Sequence, residues 1–291
     1  MYTGYIIKGI GGFYYVKTTD GVIECKAKGI FRKRRITPVA GDFVEYQEDG
    51  GTWIITEILE RKNVFVRPPI ANVDNFFVIA STTEPVPSTL IIDMLTAIAV
   101  DKGAKPYILI TKTDILKSDW LVQAYQKSTI PVICVNAENK EGIAEVKALL
   151  KDKISVFCGN SGVGKSTLLS AILPNDMQLT TGEISKKLGR GKHTTREVEL
   201  FEAEGGLVAD TPGFSSLEMV KAAYLPKENL QYAFPDIAAY FGKCKFTGCS
   251  HTREKGCAVL LALQNGEISA TRYESYKTLY EQAKEINDWE R

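Results

Sequence analysis

A glycine-rich loop at residues 159–166, with the sequence GNSGVGKS, constrains this chain of 291 residues more than any other segment. It matches the pattern G-x-x-x-x-G-K-[ST] and follows an apolar run, Ile154 to Cys158, that is typical of a buried strand. A helix is predicted to begin at Thr167. Because glycines let the backbone curl around a phosphate, and a helix N-terminus favours its negative charge, the segment predicts a phosphate-binding loop.

Two side chains of this loop are expected to have distinct roles. Lys165 would reach the β and γ phosphates of a nucleotide, and Ser166 would ligate Mg²⁺. The alternative is a glycine-rich turn that merely carries Lys-Ser, and the strand and helix around the loop argue against it. The full set predicted to contact phosphates is Gly159, Asn160, Ser161, Gly162, Val163, Gly164, Lys165, Ser166 and Thr167.

A base-reading motif, Thr111-Lys112-Thr113-Asp114, precedes the loop and follows the apolar run Tyr107 to Ile110. A carboxylate at Asp114 could accept hydrogen bonds from guanine N1–H and the exocyclic amine, a donor pair that adenine lacks. Lys112 would cover the purine, and Asn136-Ala137 is the expected second base contact. The alternative is a strand-to-helix turn capped by Asp. Since this motif usually follows the phosphate loop, the inverted order predicts a guanine-nucleotide domain with a rearranged chain.

Two segments are predicted to sense the γ-phosphate. In Asp210-Thr-Pro-Gly213, which follows the apolar strand 207–209, Asp210 can hold the Mg²⁺ shell and the Gly213 N–H can touch the terminal phosphate. In the polar segment 189–196, either Thr194 or Thr195 could reach Mg²⁺. A solvated surface connector is the alternative interpretation of that segment.

The chain divides into three predicted domains. Residues 1–68 carry five short strand patterns separated by glycine-containing turns, which suits an RNA-binding barrel of the oligonucleotide-binding (OB) type. Residues 69–220 alternate apolar strands with amphipathic helices, which predicts an α/β domain with a parallel sheet and ligands at the carboxyl ends of its strands. Residues 221–291 predict a helical module, whose last helix carries aromatic side chains expected to pack rather than to bind RNA.

A basic loop stands out in the barrel, although the formal net charge of the chain is only +1. Lys and Arg neutralise phosphates and an aromatic ring offers a stacking face, so the loop predicts contact with RNA. A solvated run of charge is the alternative. The predicted RNA-binding residues are Lys28, Phe31, Arg32, Lys33, Arg34 and Arg35.

The third domain contains a metal-like pattern, Cys244-x4-Cys249-x-His251-x5-Cys257. Three thiolates and an imidazole suit a closed tetrahedral Zn²⁺ site better than disulfides in a reducing cytosol. Four protein ligands leave no position for water, so the ion would be structural. Unligated buried cysteines are the alternative.

The sequence also predicts where the protein works. It has no apolar stretch of eighteen residues and no basic region followed by an apolar one at its N-terminus. We therefore expect a cytoplasmic protein without a membrane span. We also expect it to be a monomer.

These motifs together closely resemble the circularly permuted GTPases that act on the bacterial small ribosomal subunit. The order is TKTD, Asn136-Ala137, GNSGVGKST, GRGKHTT and DTPGFS, and the resemblance covers essentially the whole chain. It implies a circularly permuted P-loop GTPase domain between an OB-type barrel and a helical zinc-binding domain. It also implies slow GTP hydrolysis that the small subunit stimulates, in late maturation of that subunit, with the subunit and its rRNA as partners.

The sequence departs from most GTPases at two positions. Thr111 stands where most have Asn, and Phe214 stands where many have a Gln that orients the attacking water, a replacement that the resembling family shares. Since phenylalanine cannot orient water, we hypothesise that His193 does so, with Lys165 and Asp210 as the other catalytic residues. An exposed histidine in a surface loop is the alternative.

Three classes of function therefore compete. The first is a GTPase of ribosome assembly, the second an RNA-binding P-loop ATPase or a small-molecule kinase, and the third a nucleotide-gated or plain RNA-binding protein without a ribosome role. Asp114 argues against the second class, and the intact Lys165, Ser166 and Asp210 argue against a vestigial site. Because the chain runs from Gly213 into the metal-binding module, a GTP-dependent clamp on RNA is a further hypothesis.

Overall fold

The computed structural model of the protein describes residues 1–117, 119–174, 198–210 and 225–285, with the backbone alone of Asp210. Three structural units follow one another in these residues. They are a β-barrel, an α/β layer and a helical module.

The N-terminal unit is a closed five-stranded barrel. Its strands are β1 (Tyr2–Ile10), β2 (Phe13–Thr18), β3 (Gly21–Ala27), β4 (Phe43–Asp49) and β5 (Thr52–Ile58). They pair in the order β1-β2-β3-β5-β4, and β4 returns to β1. All pairs are antiparallel except β3 with β5. Alternating apolar side chains such as Ile6, Val16 and Ile55 fill the interior, so the predicted OB-type barrel is confirmed.

Phe31 was wrongly predicted to offer a stacking face to RNA. It lies on the single-turn helix α1 (Ile30–Lys33) between β3 and β4, and only 5% of its surface is exposed. The turn directs this ring into the barrel core, where burying apolar surface is favourable, and leaves Lys28 and the four following basic side chains, residues 32–35, exposed. The loop is therefore a cluster of cations without an exposed aromatic ring at Phe31.

The second unit is a sheet with helices on both faces. Its parallel strands are β8 (Asn75–Ser81), β9 (Lys105–Thr111), β10 (Val132–Cys134), β11 (Ile154–Gly159) and β13 (Gly206–Asp210), in the order β10-β9-β8-β11-β13. The helices are α2 (Thr89–Asp101), α3 (Asp119–Tyr125), α4 (Ile143–Leu150) and α5 (Lys165–Ile172). Because both faces are covered, β8 and β11 are buried throughout, as their apolar runs predict.

Short strands join the barrel to this sheet. The pair β6 (Val64–Phe65) and β7 (Ile70–Ala71) follows the barrel, and β12 (Glu199–Ala203) pairs antiparallel with β13. Strand β12 also meets β1 at Lys8 and Glu199, whose side chains form an ion pair of 2.8 Å. The barrel is thus bound to the edge of the α/β sheet.

The C-terminal unit is helical and shares its core with the α/β domain. Its helices are α6 (Lys227–Ala233), α7 (Pro235–Ala238), α8 (Ala258–Gln264) and α9 (Ala270–Glu285). Tyr273, Tyr276 and Leu279 of α9 are buried in a cluster that also contains Ala97 of α2, which confirms that these aromatic side chains pack. None of the helices in the part of the chain described above is long and apolar enough to cross a bilayer.

An arginine fixes this unit to α2. Arg272 of α9 is 1% exposed, and its guanidinium donates to Asp93 of α2 at 2.6 Å and to Asp236 of α7 at 2.7 Å. The ring of Phe234 lies 4.8 Å below it. A buried cation needs such partners because it has lost its hydration.

Candidate nucleotide site and metal centre

The phosphate-binding loop lies between β11 and α5, as the sequence predicts. Gly159 leaves no space for a side chain, since a Cβ there would stand 2.9 Å from Val163 Cγ2 and 3.0 Å from the Ile79 carbonyl oxygen. Gly164 has φ 91° and forms the N-cap of α5, whose first residue is Lys165. A left-handed residue at this point turns the loop into the helix, so that the helix N-terminus faces the loop interior.

The TKTD motif contacts this loop directly. Thr111, the last residue of β9, donates its hydroxyl to the Val163 carbonyl at 2.5 Å. A Cβ at Gly164 would be only 3.7 Å from Thr111, so the two segments are in close approach. The two segments are about fifty positions apart in the sequence. They meet because the parallel strands β9 and β11 have their carboxyl ends on the same side of the sheet.

An open cleft of about 230 Å³ lies between the two motifs. Its lining combines the base-reading segments with the phosphate loop and the helix after it. The lining residues include Lys112, Asp114, Asn136, Ala137, Gly164 and Thr167. The cleft thus has the base-reading carboxylate of Asp114 and Gly164 of the phosphate loop in one lining.

Asn136 holds the Asp114 carboxylate. Its side-chain amide donates to Asp114 Oδ1 at 2.8 Å, and its Oδ1 accepts the Glu138 N–H at 2.8 Å. Asn136 is only 6% exposed. This hydrogen bond orients the Asp114 carboxylate, so the side chain of Asn136 acts on the base-reading residue.

The loop between β8 and α2, for which the sequence predicted no role, holds Lys112. Lys112 has φ 58°, its Nζ donates to the Glu84 carbonyl at 2.6 Å, and its own carbonyl accepts the Thr82 hydroxyl at 2.6 Å. Residues 82–88 connect β8 to α2, and Pro85 lies 3.7 Å from the position of a Cβ at Gly162. The connection therefore touches both the base-reading motif and the phosphate loop.

Several predicted site residues lie outside the part of the chain that the structure describes. They are His193, Thr194, Thr195 and Gly213. Asp210 ends β13, which runs parallel to β11 and brings its backbone to the same edge of the sheet as the phosphate loop.

The four predicted metal ligands converge in the C-terminal unit. The ligand atoms of Cys244, Cys249, His251 and Cys257 all lie within 4.8 Å of one another. His251 Nδ1 stands 3.5 Å from Cys244 Sγ and 3.5 Å from Cys257 Sγ, which are 3.9 Å apart. A tetrahedron with ordinary Zn–S and Zn–N bonds has S···N edges of roughly 3.5 Å and S···S edges of roughly 3.8 Å. These three separations therefore fit a Zn²⁺ ion, and Cys249 Sγ lies within 4.8 Å of the other ligand atoms.

Burial shapes the protonation of these ligands. It lowers the pKa of His251, which favours the neutral, lone-pair form, and it raises the pKa of Cys249 to about 12. Thiolates in such surroundings need a cation, because desolvation otherwise favours the thiol. Burial therefore favours the thiol form of Cys249 unless a cation is bound beside it.

Side chains around the cluster hold the loop that carries His251. Burial acts to raise the pKa of Glu254, but hydrogen bonds from the Ser250 hydroxyl and from backbone N–H groups outweigh it and lower the pKa to about 2. Tyr273 and Tyr276 donate to the carbonyls of His251 and Ser250 at 3.1 and 2.9 Å. The sequence predicted that the aromatic side chains of α9 pack, but no sequence pattern predicted the hydrogen bonds that hold this loop.

The fold and the two sites define a class of protein. A phosphate loop, a base-reading motif that precedes it in sequence, an N-terminal barrel and a Cys₃His cluster together describe a circularly permuted P-loop GTPase with added domains.

Comparisons with known proteins lead to a particular family. The RsgA GTPase family pattern matches residues 58–220, and the RsgA N-terminal domain pattern matches residues 3–53. The small ribosomal subunit biogenesis GTPase RsgA 2 of Oceanobacillus iheyensis is 44% identical over 289 residues, 97% of each chain. The small ribosomal subunit biogenesis GTPase RsgA of Bacillus subtilis is 44% identical over 288 residues, 95% of each chain.

Solved structures agree. YjeQ from Thermotoga maritima has a TM-score of 0.82 at 32% identity, covering 98% of this chain and 99% of its own. YloQ, described as a circularly permuted GTPase, has a TM-score of 0.79 at 34% identity, covering 98% of this chain and 95% of its own. The chain belongs to the RsgA GTPase family and is a GTP hydrolase.

Proposed function

We propose that this GTPase binds the small ribosomal subunit and hydrolyses GTP slowly, with stimulation by that subunit, during its late maturation. The binding of a guanine nucleotide is supported by the cleft that Asp114, Asn136 and the phosphate loop line together. The ribosomal part is supported by the relatives, which are named small ribosomal subunit biogenesis GTPases. An RNA-binding ATPase is not favoured, because the carboxylate in the cleft suits the N1–H and amine of guanine.

In this proposal the cleft takes GTP with its base toward Asp114. Lys112 covers the purine. Because the side-chain amide of Asn136 donates to Asp114, the backbone N–H of Ala137 is the group that reaches the base. The loop from Gly159 to Thr167 surrounds the phosphates, with Lys165 on the β and γ groups. Ser166, Asp210 and one of Thr194 and Thr195 would hold Mg²⁺, which would neutralise charge on the phosphate oxygens.

We further propose that Cys244, Cys249, His251 and Cys257 hold one structural Zn²⁺. The 3.5 Å Nδ1···Sγ separations support it. Exposed Lys28 and residues 32–35 would contact rRNA phosphates. The proposed domain limits are 1–68, 69–220 and 221–291, and the proposed working form is a cytoplasmic monomer.

One measurement tests the overall proposal. GTP turnover is followed with and without purified small subunits, for the wild type and for Lys165→Ala. We expect stimulation of the wild type by subunits and a loss on the order of 100-fold or more in the variant, because a phosphate-binding cation is gone. Turnover that subunits leave unchanged would contradict the ribosomal role, and equal use of Mg-ATP would contradict the guanine site.

The proposed catalytic role of His193 has a separate test. We expect His193→Ala to lower subunit-stimulated turnover while GTP affinity stays constant, because the residue would orient water and not bind the nucleotide. Unchanged turnover at constant affinity would remove His193 from the mechanism.

The clamp hypothesis states that the bound nucleotide sets the relative arrangement of the barrel and the metal-binding unit, and thereby the affinity of the protein for RNA. The barrel is bound to β12, which follows segment 175–197 in the chain, and the metal-binding unit follows segment 211–224. A nucleotide that favours one arrangement of the units must then bind that arrangement more tightly. Equal affinity for the small subunit with GDP and with a non-hydrolysable GTP analogue would contradict the clamp.

A further inference from the structure

We propose that Gln231 is a positioning residue for the metal centre, which fixes the ring of His251 with Nδ1 toward the three cysteines. This inference rests on the proposed zinc site. Gln231 lies on α6, outside the Cys₃His pattern, and is twenty residues from the ligand that it contacts.

The geometry at His251 assigns different roles to its two ring nitrogens. Nδ1 faces two sulfur atoms at 3.5 Å, and Nε2 stands 3.3 Å from Gln231 Oε1 on the other side of the ring. A neutral imidazole has one N–H, and the hydrogen bond at one nitrogen decides which nitrogen can bind a metal. An oxygen acceptor at Nε2 places the hydrogen there and leaves the Nδ1 lone pair for the ion.

The platform that carries Gln231 is well anchored. Its neighbours Leu230 and Ala233 are buried in the core of the C-terminal unit, and α6 packs against α2 and α9. A hydrogen-bond acceptor on a packed helix can hold a ligand more firmly than one on a loop. The amide of Gln231 is thus presented to the ring from a fixed direction.

A second helix holds the backbone of the same ligand. His251 has φ 61°, a left-handed conformation that is uncommon outside glycine, and its carbonyl accepts the Tyr273 hydroxyl of α9 at 3.1 Å. Its Nε2 faces α6, and α9 holds its main chain and places the Tyr276 ring 6.4 Å from the imidazole, centroid to centroid. Of these contacts, the one with Gln231 is a hydrogen bond to a ring nitrogen and therefore selects the nitrogen that binds the metal.

The test uses the full chain with three substitutions. Gln231→Leu removes the acceptor at similar size, Gln231→Glu keeps an oxygen for Nε2–H, and Glu228→Gln is a control on the exposed side of α6. Zn²⁺ affinity is measured by competition with a chelator, and the visible spectrum of the Co²⁺-loaded protein reports the coordination geometry.

We expect Gln231→Leu to lower Zn²⁺ affinity roughly 10- to 100-fold, the usual effect of losing a partner of a ligating histidine, and to alter the Co²⁺ spectrum. Gln231→Glu should restore both properties, and Glu228→Gln should match the wild type. If Gln231→Leu does not fold, Gln231→Asn, whose amide is one methylene too short to reach Nε2, carries the same expectation.

Wild-type affinity and an unchanged Co²⁺ spectrum in Gln231→Leu would overturn the role of Gln231. A wild type that takes up neither ion would instead overturn the zinc site itself. GDP affinity, measured in parallel, distinguishes both results from a general loss of structure.

Discussion

The guanine cleft and the metal centre are organised in opposite ways. At the cleft, two hydrogen bonds within the protein hold the ligand-binding segments: Asn136 donates to Asp114, and Thr111 donates to the phosphate loop. In the metal centre, the ligand atoms of three cysteines and a histidine converge within 4.8 Å of one another, where a shared ion would join them. The cleft should therefore keep its geometry without its ligand, whereas the metal centre should not.

The supports of the two sites explain this difference. The cleft lies at the ends of strands that are buried on both faces, where helices and sheet fix the backbone. The cysteines lie in a segment between the short helix α7 and α8, with little regular structure of its own. A site on a rigid sheet needs few additional contacts to keep its geometry. The geometry of ligands on a loop depends on the ion that they share.

Loss of the metal should have the largest effect and should separate the two regions. We expect Cys257→Ser, or extraction of the ion by a chelator, to expose residues 239–257, the segment between α7 and α8, to hydrogen exchange, since about 10 kcal/mol of metal binding can be folding free energy. GDP affinity should stay within about 3-fold, because distant sites act independently. Thr247→Ala, an exposed position in the same segment, is the control. A parallel collapse of GDP binding would break the comparison.

Arg272 joins the C-terminal unit to α2 of the α/β domain, away from both sites, and its loss should rank second. Arg272→Met would leave Asp93 and Asp236 buried without a cation, which costs about 3–5 kcal/mol in unfolding free energy. Urea denaturation of the metal-loaded protein measures this loss of unfolding free energy. Lys277→Met, an exposed position on the same helix, is the control. A loss below about 1 kcal/mol, the range of an exposed pair, would contradict the buried network.

Asn136 tests whether the cleft is organised in advance. We expect Asn136→Ala to weaken GDP binding about 10-fold or more, since hydrogen bonds to a charged group contribute about 1.5–3 kcal/mol. Zn²⁺ affinity should not change. Titration of GDP against Asn136→Ala and the exposed Asn139→Ala measures the difference, and equal affinities would show that Asp114 needs no partner.

Thr111 should have the smallest effect. Thr111→Val removes one neutral hydrogen bond to Val163 and should weaken GDP binding about 5-fold, near 1 kcal/mol. Thr111→Ser keeps the hydroxyl and should bind like the wild type. If Val and Ser variants bind GDP equally, the contact seen between the motif and the loop does not support the nucleotide.

Sequence patterns predicted the parts of these sites that follow from chemistry at fixed spacing. The phosphate loop, Asp114 and the Cys₃His ligands were all named from their spacing, and the barrel from its alternating strands. Phe31 was misjudged because a ring in a basic loop gives no sign of which way a single helical turn will face. The short turn buries it in the barrel core.

Contacts between distant segments could not be predicted in this way. Gln231 and the Glu84 carbonyl have no motif, because their roles depend on which helix and which loop the fold brings beside His251 and Lys112. Arg272 gave a faint signal, as a charged residue beside the apolar stripe of the last helix. Its two partners, on α2 and α7, emerge only from tertiary packing.

The most direct test of the guanine cleft is a change of base preference in Asp114→Asn. An asparagine offers an amide donor to the C2 carbonyl of xanthine, where guanine has an amine. We predict that GDP affinity falls at least about 100-fold in this variant and that xanthosine diphosphate becomes the tighter ligand, while Zn²⁺ content stays the same. Undiminished GDP affinity in Asp114→Asn would show that the base does not lie against Asp114, and the assignment of the cleft would be wrong.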